Sequence, residues 1–250
     1  MFGWWRRRAT RPIPEPLWQG VLSAYPFLRE RPQAELARLR ELAARFLQDK
    51  EFHGAQGLAI TDAMAVAIAA QAVLPVLHLG LDWYDDFVGI VVHADQVVAR
   101  RTSQDEVGVV HEWEEVLAGE AMERGPVMLS WQDVQQAGEA AAQGYNVVVH
   151  EFIHKIDMRD GQPDGCPPMP ARLRKAWRSA MQAEYERFRE QVVIAERFGG
   201  EPTWLDPYGA ENIGEFFAVA GEAYFVNRSA FGAGFPALLA LFDGFFRPAA

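Results

Sequence analysis

The sequence predicts an α+β fold, predominantly helical, with a small mixed sheet packed against one buried helix that carries the pattern H-E-x-x-H. Three observations predict it. Half of the 250 residues are apolar and 23% are charged, which is enough for a substantial core. Runs with helical periodicity, notably 32–48 and 171–198, are much longer than the β-like runs between residues 87 and 131. Finally, Val147-Val148-Val149-His150-Glu151-Phe152-Ile153-His154 sets two histidines and a glutamate in a segment that is otherwise apolar on nearly every side, as in a core helix.

The chain opens on residues 1–16, expected to be an extended arm of arginine, tryptophan and proline. Its arginines are followed by Pro12, Pro14 and Pro16 rather than by the apolar region of a secretory signal, so we expect a cytosolic protein. Residues 17–250 are expected to form a single domain. Within it, Leu36, Leu39, Leu42, Ala43, Phe46 and Leu47 recur at helical spacing against Arg38, Arg40, Glu41 and Arg45, giving an amphipathic helix over 32–48. Thr61 or Asp62 can cap a second, alanine-rich helix ending near Pro75. The most membrane-like stretch, 63–81, is interrupted by Gln71, Pro75 and His78 and reads better as a buried core helix than as a span.

Phe87–His93 and Gln96–Arg100 flank the short Ala94-Asp95 link and read as a hairpin or two neighbouring strands, with a third β-like stretch at 106–110. His111-Glu112-Trp113-Glu114-Glu115 begins like the metal pattern, but Glu115 stands where the second histidine would be, so it is not a site. His53 and His78 stand singly and are left out as well. Gly125–Trp131 reads as a short strand, with Asp133 capping a helix from Val134 towards Gly144. After the H-E-x-x-H helix, residues 158–170 are rich in Gly, Pro and Asp and form a loop. A long helix over 171–198 follows, its stripe made of Leu173, Trp177, Met181, Tyr185, Phe188 and Val192.

On a helix His150 and His154 lie one turn apart on the same face, so both imidazoles can reach one ion. Burying them is costly unless a cation satisfies them. Glu151 projects beside that ion, where it can take a proton from metal-activated water. Residue frequencies alone produce the pattern in about one per cent of chains this long. A catalytic zinc usually takes three protein ligands and keeps a fourth position open. Asp157, three residues after His154, and Asp160 and Asp164 beyond it are candidates for the third ligand or for a partner behind the ligands. The stronger source is the apolar segment 206–225, where Glu211, Glu215 and Glu222 fall near one helical face. Glu215, just before Phe216-Phe217, is the choice for third ligand, and Glu222 suits a role of holding a ligand imidazole through its other N–H. Two imidazoles and a carboxylate suit one Zn²⁺ per chain. The strand Val127, Met128, Leu129 and Ser130, placed before this helix, is a candidate substrate platform, because an exposed edge pairs with an extended peptide through the main chain.

Charge and cysteine content exclude other classes. Against 34 acidic residues stand 24 basic ones, a formal charge of −10, which disfavours a direct nucleic-acid partner. Cys166 is the only cysteine, so there is no intrachain disulfide. Glu151 also argues against a purely structural metal site, since a closed site needs no base.

His150-Glu151-Phe152-Ile153-His154-Lys155-Ile156-Asp157, together with Glu215-Phe216-Phe217-Ala218-Val219, resembles the Mlc titration factor A family of bacterial zinc peptidases, whose catalytic core is similar to that of anthrax lethal factor. The resemblance covers most of the chain, including the strand at 126–131. It implies a zincin-like metallopeptidase in which His150, His154 and Glu215 hold zinc and Glu151 is the base. It further implies that Tyr208, seven residues before Glu215, faces the site as a metal contact at rest or an oxyanion donor. Aminopeptidase action is implied too, with Glu211 or an acidic loop residue available to hold a free α-amino group. The expected partners are a peptide or protein substrate and, because the family's namesake binds the glucose-responsive repressor Mlc, a transcriptional repressor protein.

Overall fold

Helix caps and apolar stripes account for most of the architecture of the computed structural model, which describes residues 10–104 and 110–248. Helix α1 (Glu15–Ala24) already begins within the segment expected to be an arm, because Pro14 and Pro16 suit a helix start and Trp18 and Val21 are drawn into the core. After α2 (Pro26–Arg29), α3 (Gln33–Asp49) follows the expected stripe to within a residue at each end. The Thr61 hydroxyl accepts from Met64 N at 3.2 Å and starts α4 (Asp62–Ala72), which is buried from Val66 to its end.

The sheet differs from expectation. Strands β1 (Glu51–Gly54), β2 (Gly89–His93) and β6 (Val127–Ser130) run parallel, and β5 (Gly119–Ala121) pairs antiparallel with β6, in the order β1-β2-β6-β5. Strands β3 (Val97–Gln104) and β4 (Val110–Leu117) form a separate antiparallel pair. No hairpin forms across Ala94-Asp95: Ile90 and Val92 of β2 are fully buried, and the strand meets that need at the centre of the parallel sheet rather than beside β3. Residues 106–109 of the third expected stretch lie outside the described residues, and His111 falls in β4.

Ser130, not Asp133, caps α5 (Trp131–Ala140): its hydroxyl accepts from Asp133 N at 3.3 Å. Asn146 then caps α6 (Val147–Asp157), the helix of the two histidines, through Val149 N at 2.8 Å. Helix α7 (Ala171–Phe198) has the expected bounds, but its buried stripe begins at Trp177, because Leu173 stands 49% exposed. Helices α8 (Ile213–Val226), α9 (Arg228–Gly234) and α10 (Pro236–Phe246) complete the order.

Helix α6 lies in the middle. Phe152 packs its ring against Phe46, Tyr84 and Phe87 at centroid distances of 5.6, 5.1 and 5.9 Å. On another side α6 meets α8 at Gly221, where an added Cβ would come within 2.9 Å of the Ile153 side chain. That close approach brings the carboxylates of α8 up to the histidines of α6. No helix among the described residues is long and apolar enough to cross a membrane.

Candidate metal centre

The cap at Asn146 sets the start of α6, and four residues later the side chains of His150 and, one turn on, His154 emerge on one face, their rings 4.8 Å apart. Glu215 comes from the first turn of α8, whose own start is fixed by the Asn212 side chain accepting from Glu215 N at 3.0 Å. The three side chains close a triangle. His154 Nε2 is 3.2 Å from His150 Nε2 and 3.1 Å from Glu215 Oε2, and His150 Nε2 is 3.2 Å from the same oxygen. Donors of a tetrahedral zinc with bonds of about 2.0–2.1 Å lie about 3.3–3.4 Å from one another. The spacing and the chemistry of the set, two imidazole nitrogens and a carboxylate, therefore fit a divalent cation.

Behind the triangle is a buried polar relay. Glu222 Oε1 lies 3.2 Å from His150 Nδ1, and its Oε2 accepts from Asn146 N at 2.7 Å. A proton on Nδ1 facing Glu222 leaves the Nε2 lone pair turned towards the triangle. Asn146 Nδ2 donates to Gln71 Oε1 at 2.8 Å, and Gln71 Nε2 donates to Ala67 O at 3.1 Å. Gln71 and Asn146 are fully buried. Sequence reasoning did not place them at the site; the available signal was one glutamine inside an otherwise apolar helix.

The charges respond to one another. Burial works against protonation of His150, but hydrogen bonds to Glu215 and Glu222 outweigh it and hold the imidazole charged well above its ordinary range. Burial would likewise raise Glu215, yet hydrogen bonds from His150 and His154 keep it far below the usual carboxylate range. Protons thus sit where a metal would, so metal binding must displace them and weaken as pH falls. Glu151, 5% exposed, is pushed up to about 7 by burial and by the nearby Glu215 and Glu222, with the histidines opposing.

These groups open into a cleft of ≈ 400 Å³ lined also by Gly119, Glu120, Tyr145, Asp206 and Tyr208. Tyr208 sits in a 3₁₀ turn, Pro207–Ala210, started by the Asp206 side chain accepting from Tyr208 N at 2.9 Å, and its ring lies 6.2 Å from that of His150.

Two expected residue roles need correction. Val127, Met128, Leu129 and Ser130 are not an exposed edge, because β6 is paired on both sides, by β2 and β5; Val127, Leu129 and Ser130 are buried, and Ser130 spends its hydroxyl on the α5 cap. Among the described residues, the sheet edge facing the cleft belongs to β5, a strand of three residues with no alternation to mark it. Asp157 does not stand behind an imidazole. Its Oδ2 accepts from Gly165 N at 2.8 Å, and so ties the loop after α6 to the helix; burial pushes its carboxyl up to about 7. Asp160 is exposed and Asp164 pairs with Arg178 at 2.7 Å, so neither completes the triangle.

Over residues 2–247 the chain matches the family described as glucose-regulated metallo-peptidase M90. Among curated proteins it is 35% identical to Mlc titration factor A of Serratia proteamaculans, covering 97% of this chain and 92% of that one. It is 33% identical to the protein of the same name from Klebsiella pneumoniae, over 99% and 92%, and 32% identical to that of Yersinia pestis, over 97% and 89%.

Proposed function

We propose, because this chain belongs to the glucose-regulated metallo-peptidase M90 family, that it is a zinc-dependent peptidase with a zincin-like fold. In this reading His150, His154 and Glu215 hold one Zn²⁺ and Glu151 is the general base. The observation that carries it is the triangle of three donors 3.1–3.2 Å apart, with buried Glu151 directly after His150 on α6.

When bound, the metal supplies Lewis-acid polarisation and lowers the pKa of water towards neutrality. The protein's residues do the rest. Glu222 keeps the His150 ring turned so that Nε2 serves as the ligand atom. The edge of β5 pairs with an extended peptide and lays its scissile carbonyl across the cleft. Glu151 accepts a proton from the attacking water and passes it to the leaving amine. Tyr208, which also lines the cleft, donates its hydroxyl to the developing oxyanion.

Aminopeptidase action is the finer reading. It requires an acidic anchor for the α-ammonium group, and Glu120 and Asp206 line the cleft, whereas the expected Glu211 lies outside its lining. Free peptides should then be cleaved faster than amino-blocked ones; equal rates would sink the exopeptidase assignment. The relatives' name supports a second reading, binding of a transcriptional repressor of the Mlc type, which does not need catalysis.

The deciding experiment measures metal content and peptide cleavage for wild type, Glu215→Ala and Glu151→Gln. About one zinc per chain, weakened in Glu215→Ala, with chelator-sensitive cleavage, is expected. Metal-loaded Glu151→Gln should lose cleavage by about 10²–10⁴-fold; wild-type turnover in that variant would refute the mechanism.

A further inference from the structure

Glu151 and Lys155 repeat the spacing of the histidines, each one residue behind its imidazole, so they share the flank of α6 beside the ligand face. Both are buried, Lys155 completely. Both meet the same neighbour, the β5–β6 hairpin. At one end, a Cβ on Gly119 would stand 2.6 Å from Glu151 Oε1, 2.7 Å from Cγ and 2.8 Å from Cδ. At the other end, Lys155 Nζ donates to Met122 O at 2.8 Å and to Gly125 O at 3.4 Å, in the turn between the strands, with Nζ 4.5 Å from the Phe87 ring centroid. A buried ammonium is costly unless its donors are taken, so these carbonyls are not exchangeable for others. The turn is itself closed by Gly125 N on Met122 O at 3.1 Å, which leaves it little freedom to follow a moving lysine.

The two contacts act on each other. Because the space beside Gly119 is filled by Cγ and Cδ as well as by an oxygen, turning the carboxylate about its last bond would not admit a methyl group. Either Glu151 swings away at its base or the strand lifts. Lys155 opposes the lift, since it holds the end of the hairpin on the helix.

We propose that Lys155 and Gly119 are positioning residues for the reaction: Lys155 pins the β5–β6 turn to α6, and Gly119 lets the edge strand close on Glu151, so that its carboxylate has one orientation over the cleft. The proposal rests on Glu151 being the base.

The test combines Gly119→Ala, Lys155→Met and Glu151→Asp, each with metal content, amide hydrogen exchange and kinetics. Gly119→Ala should bind metal normally and lose about a hundredfold in kcat, because a base displaced by about an ångström loses its alignment. Lys155→Met should speed exchange of the 119–126 amides and raise KM about tenfold through a displaced peptide-binding edge, with a smaller change in kcat. The decisive comparison is a thermal-shift cycle: Glu151→Asp withdraws the side chain from Gly119, so the Tm loss caused by Gly119→Ala should largely vanish in that background. This cycle also serves if Lys155→Met does not fold. Wild-type kcat in Gly119→Ala, an undiminished Tm loss in the Glu151→Asp background, or metal loss in both variants would overturn the proposal. If wild type cleaves no peptide, the peptidase reading falls alone, while the thermal cycle and the exchange rates still decide the contact.

Discussion

Helix α8 has two faces, and they are held by different physics. Towards α6 it presents Glu215 and Glu222, whose oxygens meet His150, His154 and the Asn146 N–H at 2.7–3.2 Å. Away from α6 it presents Phe217 and Tyr224 to Trp177, Phe242 and Phe246. There Phe217 lies 5.7 Å from Trp177 and 5.6 Å from Phe242, and Tyr224 lies 5.8 Å from Phe246. The aromatic face depends on area and volume. The polar face depends on the direction of single bonds, since each buried oxygen has a named donor. The contrast puts the donors that would hold a metal and the packing that holds the fold on opposite sides of one helix, so single substitutions should separate the two.

The largest effect belongs to the aromatic face. Phe242→Ala removes a ring packed against Trp177, Phe217, Tyr224 and Phe231 and should cost about 3–5 kcal/mol in urea unfolding. Metal affinity of the folded fraction should stay at the wild-type value. Glu222→Gln sharpens the comparison from the other side: metal affinity by competition titration should drop about 10–100-fold, because the His150 ring loses its charged partner. Its apo form should lose far less stability than Phe242→Ala. Equal unfolding costs in the two variants would dissolve the distinction between the faces.

Asp157 tests it through pH. Its folded carboxyl is raised from 3.8 to about 7, first by burial and further by Asp164, with the Gly165 and Cys166 amides and His154 pulling it down. A raised carboxyl contributes stability that is complete below the unfolded pKa and is lost as pH rises through the folded one, here between about 4 and 7. Asp157→Asn stays neutral. It should match wild type near pH 4 and become more stable by about 1–2 kcal/mol above pH 7, after allowance for relaxation around the buried group. Parallel Tm curves for the two proteins from pH 4 to 8 would contradict the raised carboxyl.

What the sequence discloses follows the same division. His150, Glu151 and His154 are legible because helical periodicity is local, and Glu215 and Glu222 because a seven-residue offset inside an apolar helix still marks one face. The sheet is not. β1 has a single apolar side chain, Phe52, and β5 has three residues, so neither carries a period to read. β6 is an apolar run that fits an edge or a centre equally well, and only its pairing with two distant strands decides. Gln71 is 75 residues from Asn146, and nothing local joins them. The cleft-facing edge of the sheet is thus the part that sequence misplaced, because edges are defined by what does not pair with them.

The smallest expected effect asks how far the polar face acts as one unit. Asn146 has three roles: its side-chain oxygen caps α6, its Nδ2 reaches Gln71, and its backbone N–H holds Glu222. Asn146→Ser keeps a capping oxygen and the backbone N–H but removes the donor to Gln71, which leaves a buried acceptor unmatched. The cost should be about 1 kcal/mol in unfolding. Because Glu222 is held by main chain, metal affinity should fall only about two- to threefold, well short of the loss for Glu222→Gln. The same competition titration measures both variants. A loss in Asn146→Ser as large as in Glu222→Gln would mean that the relay from Gln71 to His150 moves as a cooperative whole, with the orientation of the imidazole set as much from α4 as from α8.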